Sequence, residues 1–264
     1  MTERTHLHAP VRYARLDRLR GFALVWMAIF HFCFDLSHYG LINANFYVDS
    51  FWTTQRTCIL SLFLLCAGAG QAVATAQGQT WVRFWRRWAQ VAGCALLVTV
   101  GSMQMFPDTY IYFGVLHGMA AMLLLVRFTA HFKLLKGWLL WPAGAVALAL
   151  SNLIQDPFFD TRLTNWVGLI THKPYTEDYV PLLPWIGVML WGLAATQWII
   201  EHRAIWLTGW PSNNPDQHGM VRYLRPAELL SLLGRWSLTF YMVHQPILIG
   251  ALSAWMLWQG RPLP

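Results

Sequence analysis

Residues 21–38 read GFALVWMAIFHFCFDLSH, and the reading of this stretch decides the fold. A hydrocarbon core about 30 Å thick takes roughly 20 mainly apolar residues at about 1.5 Å each, so the stretch suits one bilayer crossing. It follows a polar lead and has no small-residue cleavage site at its end, so it reads as a first span that stays in the chain rather than a cleavable leader. His31, Asp35 and His38 interrupt it. An ionisable side chain inside a bilayer costs several kcal/mol or more, which makes each one a functional candidate until a partner explains it.

Six further apolar runs follow, at 57–77, 88–106, 111–130, 137–155, 181–200 and 236–258. Of 264 residues, 56% are hydrophobic and only 12% charged, with a mean hydropathy of +0.38, which is not the balance of a water-soluble globule. The expected fold is all-α: a polytopic membrane helix bundle of about seven transmembrane helices. The linkers are mostly too short for a soluble domain, so residues 1–264 are expected to form a single membrane domain. Localisation follows as a multi-pass protein of the cell membrane, with the bacterial inner membrane as the expected site.

A net charge of +7 and a pI near 9.5 would suit a nucleic-acid binder if the cations were clustered without regard to side. They alternate instead. Arg4, Arg12, Arg15, Arg18, Arg20, then Arg83, Arg86, Arg87, then Arg127, Lys133, Lys136, then Arg203, Arg222, Arg225 and Arg235 fall on one side of the proposed spans. Arg56, Arg162, Lys173 and Arg261 are the exceptions. This positive-inside bias puts the amino terminus in the cytoplasm and the carboxyl terminus outside, with no nucleic-acid partner. Trp52, Trp81, Trp85, Trp166, Trp206 and Trp210 lie near span ends or in loops, as an interfacial aromatic belt would have them. Cys33, Cys58, Cys66 and Cys94 lie inside apolar runs without CxxC spacing, which reads as buried small residues rather than disulfides or metal ligands.

No fixed-period repeat divides the chain. The longest external segment, 156–180, carries Asp156, Asp160, Arg162, Lys173, Glu177 and Asp178 and is long enough to cap a pocket. On the other side, a Pro/Asn-rich loop at 211–215 precedes an amphipathic run from Pro226 to Arg235, expected to lie in the membrane interface.

At 100° per residue, the eleven steps from Arg20 to His31 return to within about 20° of the same helix face. Asp17, Asp35 and His38 fall on that stripe as well, so the first helix is expected to carry one continuous polar edge from the cytoplasmic mouth to the outer surface. Eleven residues also lift His31 roughly 16 Å above Arg20, near the midplane. His244 and His117, roughly 12 Å and 9 Å from their nearest span ends, join it in a central slab. Convergent ionisable groups in a bundle interior suit a reaction centre, an ion path or a metallo-cofactor site. Plainer readings stand beside this one. His117 and His244 suit helix–helix hydrogen bonds, Arg20 a snorkelling anchor, His38 a solvated surface group, and His31 with Asp35 a structural pair. Gly68 and Gly70 suit close helix packing.

Four blocks, in order along the chain, carry a family resemblance. They are Arg20-Gly21-Phe22-Ala23 with Phe30-His31-Phe32 and Asp35-Leu36; Phe113-Gly114-Val115-Leu116-His117; Pro181-Leu182-Leu183-Pro184-Trp185-Ile186-Gly187; and Arg235-Trp236-Ser237-Leu238 with Tyr241 and His244-Gln245-Pro246. The chain resembles the integral-membrane acyltransferase-3 superfamily, and within it the branch of heparan-α-glucosaminide N-acetyltransferase-like proteins. The resemblance implies transfer of an acetyl or similar acyl group from cytosolic acyl-CoA to a sugar or amine acceptor across the membrane. It matches His31 to the superfamily's catalytic histidine and Arg20 to its partner arginine. In the lysosomal heparan enzymes the active histidine lies farther toward the lumen, which keeps His38 in play as a substrate-side group.

Thioester aminolysis or alcoholysis needs a base for the nucleophile's proton and donors for the developing oxyanion. The expected assignment makes His31 the base, oriented by Asp35, with His244 or His117 binding the acceptor or oxyanion. Arg20, with Arg83, Arg86 and Arg87, would attract the coenzyme A phosphates. A covalent acyl-histidine relay is an equally admissible route. Acetyl-CoA or another acyl-CoA is then the co-substrate, no metal is called for, and a homodimer stays open. Two rivals differ in class: a proton-coupled transporter relaying through His31 and Asp35, and a haem-binding electron carrier with intramembrane histidines as axial ligands.

Overall fold

The computed structural model describes residues 13–135, 137–203 and 226–262. Arg4, Arg12, Lys136, Arg222, Arg225, Trp206, Trp210 and the 211–215 loop lie outside the described residues. The described chain is all-helical in its regular structure: α1 Ala14–His38, α2 Ser50–Ala76, α3 Trp81–Met105, α4 Val115–His131, α5 Leu140–Leu153, α6 Trp185–Arg203, α7 Pro226–Arg235 and α8 Ser237–Trp258. The one extended contact among the described residues is the isolated bridge between Phe113 and Tyr179.

Local chemistry sets the helix ends. The Thr80 hydroxyl accepts the Arg83 N–H at the start of α3. Gly40 and Gly78 take φ of +68° and +64° just beyond α1 and α2, the left-handed conformation that stops a helix and that glycine adopts without strain. The apolar runs locate the helices but not their limits. α1, α2 and α3 each begin about seven residues before their runs, because polar residues outside the hydrocarbon continue the same hydrogen-bonded spiral. α4 begins four residues late, since Phe113 and Gly114 are apolar yet extended.

Four helices, α1, α2, α3 and α8, are long and apolar enough to cross a membrane by length and composition, and shorter apolar helices span Val115–His131 and Gly137–Leu153. α6 is not among the four. It lies between α2, α4 and α5, and buries Val188, Met189, Leu190, Leu193 and Ala194 in the principal core with Leu64, Met122, Val126 and Leu140. Its body is apolar, and its charged residues, Glu201, His202 and Arg203, lie exposed at its end. Glycine lets it approach α2 at backbone distance: a Cβ on Gly68 would lie 2.0 Å from the Met189 carbonyl oxygen, and one on Gly192 2.2 Å from that of Leu65.

The amphipathic run Pro226–Arg235 is helix α7, and one of its faces is spent on protein. It packs on α1, where a Cβ on Gly21 would collide with the Leu230 carbonyl and one on Gly234 with the Asp17 carbonyl. Arg18 adds an ion pair to Glu228 at 3.0 Å.

Arg127 departs from its reading as a loop cation. It is 1% exposed, donating from Nη1 to the Thr75 hydroxyl at 3.2 Å and from Nη2 to the Gln79 carbonyl at 2.5 Å. Its guanidinium lies over the rings of Trp81 and Phe84. Arg127 ties α4 to the α2–α3 turn.

Candidate active site

α1 and α8 meet along a polar seam. The His31 and His244 rings lie 5.2 Å apart between centroids at 62°. His244 Nδ1 is 2.7 Å from the Tyr241 carbonyl oxygen, and a carbonyl can only accept, so Nδ1 carries the proton and Nε2 the lone pair. That Nε2 is buried with no partner among the described residues. One turn along α1, Asp35 is 3% exposed and accepts from Gln245 Nε2 at 2.7 Å. The carboxylate expected to orient His31 is thus bonded across to α8. Asp35 Oδ2 and Gln245 Oε1 have no described partner. His38 is exposed at the end of α1, in ring contact with Tyr39.

At the Arg20 end lies a cavity of about 350 Å³, with a second recess of about 360 Å³ that shares Asp17, Arg20, Gly70, Ala74 and Gln79 with it. Arg20 donates to the Cys66 carbonyl at 3.4 Å and pairs with Asp17 at 3.5 Å. Gly70 leaves room for its guanidinium, since a Cβ there would stand 2.6 Å from Nη2. Gly70 therefore serves the arginine, whereas Gly68 serves helix packing. Arg87 and Arg235 line the cavity and Arg83 lines the recess; Arg86 is exposed and lines neither. Two amide oxygens in the cavity wall, Gln71 Oε1 and Gln79 Oε1, are buried without a described partner. Phe63 on α2, Val115 at the start of α4 and Tyr241 on α8 are the lining residues farthest along their helices from the arginine-bearing end, with Met119 one turn on from Val115.

The polar edge expected along α1 is broken in the middle. Leu24 and Met27 occupy the same helical stripe between Arg20 and His31. They are 0% and 4% exposed, in a cluster with Ile59 that Phe63, Phe240 and Tyr241 pack against. The stripe is polar at both ends and apolar between them. Tyr241 bridges the two parts: it lines the cavity, and its ring lies 5.9 Å from that of His244.

His117 stands apart from the other two histidines. Gly114 N–H donates to its Nδ1 at 3.3 Å, and its Nε2 lies 3.0 Å from the Thr99 hydroxyl. Nδ1 thus caps the start of α4 itself, and Nε2 ties that start to α3.

The same turn seats a carboxylate that sequence reasoning left in the external loop. Asp178 Oδ2 accepts the Val115 N–H at 2.7 Å at the first turn of α4, where the helix dipole favours negative charge. A Cβ on Gly114 would lie 2.3 Å from that oxygen. Burial raises the Asp178 pKa, opposed by the Val115 hydrogen bond and by Arg56 and Lys173. Burial and the Arg56 charge lower that of Lys173. The segment 156–180 thus reaches inward as well as across, held by Val180 N–H to the Phe113 carbonyl and by Tyr179 to the Asn165 carbonyl. Gly114 in the second quoted block was the signal for Asp178, and the fourth block held Tyr241 and Gln245 without a role.

Among the described residues no group of three His, Cys, Asp or Glu side chains is arranged to hold a metal ion. Neither the curated proteins nor the solved structures contain a match to the chain. The family described as heparan-alpha-glucosaminide N-acetyltransferase, catalytic, matches residues 12–246, which takes in α1 through α7, the 156–180 segment, and α8 as far as Pro246. A match over most of its length, in a chain with apolar helices of membrane-spanning length, places it in the heparan-α-glucosaminide N-acetyltransferase catalytic family of membrane acetyltransferases.

Proposed function

We propose that the protein is an acyl-CoA-dependent transmembrane acyltransferase that moves an acetyl or similar acyl group from cytosolic acyl-CoA to a sugar or amine acceptor on the external side. One observation carries the reading: a single cavity is lined by Arg20, Arg87 and Arg235 and also by Tyr241, whose ring lies beside that of His244, which in turn packs on His31. In this reading the chain is a single multi-pass domain of about seven spans in a bacterial inner membrane. Its arginine mouth and amino terminus face the cytoplasm, and His38 and the carboxyl terminus face outward.

The cavity wall suits the donor. Guanidinium groups pair with phosphate oxygens. The unpartnered Gln71 and Gln79 oxygens are acceptors waiting for donors, and the pantetheine arm of coenzyme A supplies amide N–H groups. Its thioester would then reach the Tyr241 end.

His31 serves as base or as acyl carrier, with His244 beside it. On the direct route the acceptor N–H or O–H gives its proton to imidazole while its lone pair forms a bond to the thioester carbon. The C–S bond breaks, sulfur leaves with the electron pair, and the proton passes to it, giving coenzyme A thiol and the acylated acceptor. On the relay route the imidazole nitrogen attacks first and the acceptor displaces it.

The test is to incubate the purified protein in detergent with radiolabelled acetyl-CoA and follow thioester consumption, comparing wild type with His31→Ala. Consumption by wild type and its loss in the variant are expected. Equal activity in the two would remove His31 from the site, and a wild-type protein that neither binds nor consumes acetyl-CoA would end the acyltransferase reading.

A further inference from the structure

Tyr241 belongs to the fourth quoted block without a role there, yet it stands between the cavity and the histidine pair. Its backbone carbonyl holds His244 in the Nδ1–H tautomer. Its side chain lines the end of the cavity remote from the arginines, and its hydroxyl makes no hydrogen bond to any described residue. A tyrosine hydroxyl in an enclosed site normally finds a partner, so a donor left open at the end of a cavity is matched to something the cavity receives. The surroundings select what that is. Phe63 and Met119 on the cavity wall are apolar, the Asp178 carboxylate acts on the phenol through its charge without a hydrogen bond to it, and the Val115 N–H at the same end is already taken by Asp178.

We infer that the Tyr241 hydroxyl is the oxyanion donor of the transfer, hydrogen-bonding the thioester carbonyl oxygen as the acceptor attacks. The inference rests on the acyltransferase reading and adds a residue to it. As the new bond to carbon forms, the carbonyl π pair moves onto oxygen and is received by the phenolic O–H. As the C–S bond breaks, the pair returns, and the phenol keeps its proton throughout. The nucleophile's proton goes to imidazole and then to sulfur. One turn of α8 thus supplies the oxyanion donor at Tyr241 and the neighbouring lone pair at His244 Nε2.

The test uses the full-length protein in detergent, with acetyl-CoA as donor and either water or glucosamine as probe acceptor, reading thiol release. Tyr241→Phe removes a hydroxyl that bonds no described residue, so its melting temperature should equal that of wild type. Its kcat is expected to fall about 100-fold, the usual consequence of losing an oxyanion donor. KM for acetyl-CoA and the dissociation constant of free coenzyme A should stay within about twofold. The fall must be the same for water and glucosamine, because both reactions pass through the same oxyanion; a residue that only seats the acceptor would affect glucosamine alone. If Tyr241→Phe proves unstable, 3,5-difluorotyrosine at the same position keeps the ring and sharpens the donor, and kcat should change while KM holds. A kcat within about threefold of wild type, a change confined to KM, or a loss confined to glucosamine overturns the assignment and leaves the acyltransferase reading standing. A wild-type protein that releases no thiol with either acceptor overturns both.

Discussion

His244 on α8 rests its ring 5.2 Å from that of His31 on α1, and its tautomer is set by the Tyr241 carbonyl rather than by a carboxylate. An imidazole oriented by a backbone carbonyl keeps that orientation when nearby side chains change. If the two imidazoles act as one unit, His31→Ala and His244→Ala will each abolish most thioester consumption. The double variant will then be no worse than about threefold below the poorer single, because groups that share one step do not add. Multiplicative losses in steady-state kinetics would separate the two roles.

Gly70→Ala tests the arginine mouth without touching a charge. The added methyl would lie 2.6 Å from Arg20 Nη2 and displace only the end of a flexible side chain. KM for acetyl-CoA is expected to rise about tenfold, the scale of one charge-assisted hydrogen bond, with kcat and melting temperature held. An unchanged KM would take Arg20 out of donor binding.

Arg127 is a stability residue. Arg127→Met leaves the Gln79 carbonyl and the Thr75 hydroxyl without their donor and should cost about 2–3 kcal/mol, read as a lower melting temperature in detergent. Coenzyme A affinity per folded molecule should not change. Arg127→Lys should recover only part of the loss, since one ammonium cannot repeat the planar stacking on Trp81 and Phe84.

At the start of α4, Asp178→Asn keeps an acceptor for the Val115 N–H and removes a charge that burial disfavours. It should therefore be at least as stable as wild type at neutral pH. Asp178→Ala loses the cap and should cost about 1 kcal/mol. Gly114→Ala should behave like Asp178→Ala, because the new methyl would occupy the carboxylate's place. Thermal unfolding of the three variants side by side is the check.

Hydrogen bonds from the Thr171 hydroxyl, and then from His172, hold the Asp160 pKa down to about 2. A carboxyl whose folded pKa is depressed contributes stability that is present above its unfolded value near 4 and is lost as pH falls through the folded value. The 156–180 segment should therefore loosen between about pH 4 and pH 2, seen as a change in Trp166 fluorescence. Asp160→Asn should show no transition in that window.

How far the fold could be read depended on what each residue faces. α1, α2, α3 and α8 are long and apolar, and their apolar runs reveal them. The run 181–200 locates α6 as well, but that this helix is enclosed by α2, α4 and α5 is a matter of contact that composition does not show. The angular arithmetic from Arg20 to His31 was sound, but angle alone does not say what fills the stripe, and Leu24 with Met27 fill it. Depth put His31, His244 and His117 in one slab. Which of them touch depends on helix neighbours, and α1 abuts α8 while the start of α4 is bonded to α3. Arg127 looked like a loop cation because the turn it bonds is 48 residues away in sequence.

The apolar plug of Leu24 and Met27 has a bearing on the cell's energy supply. A helix polar from end to end, opening on water at both faces, would offer protons a wire down their gradient. With two buried apolar side chains across that line, the proposed proton traffic at the histidine seam would stay local, and the proposed acylation of an external acceptor would not discharge the membrane.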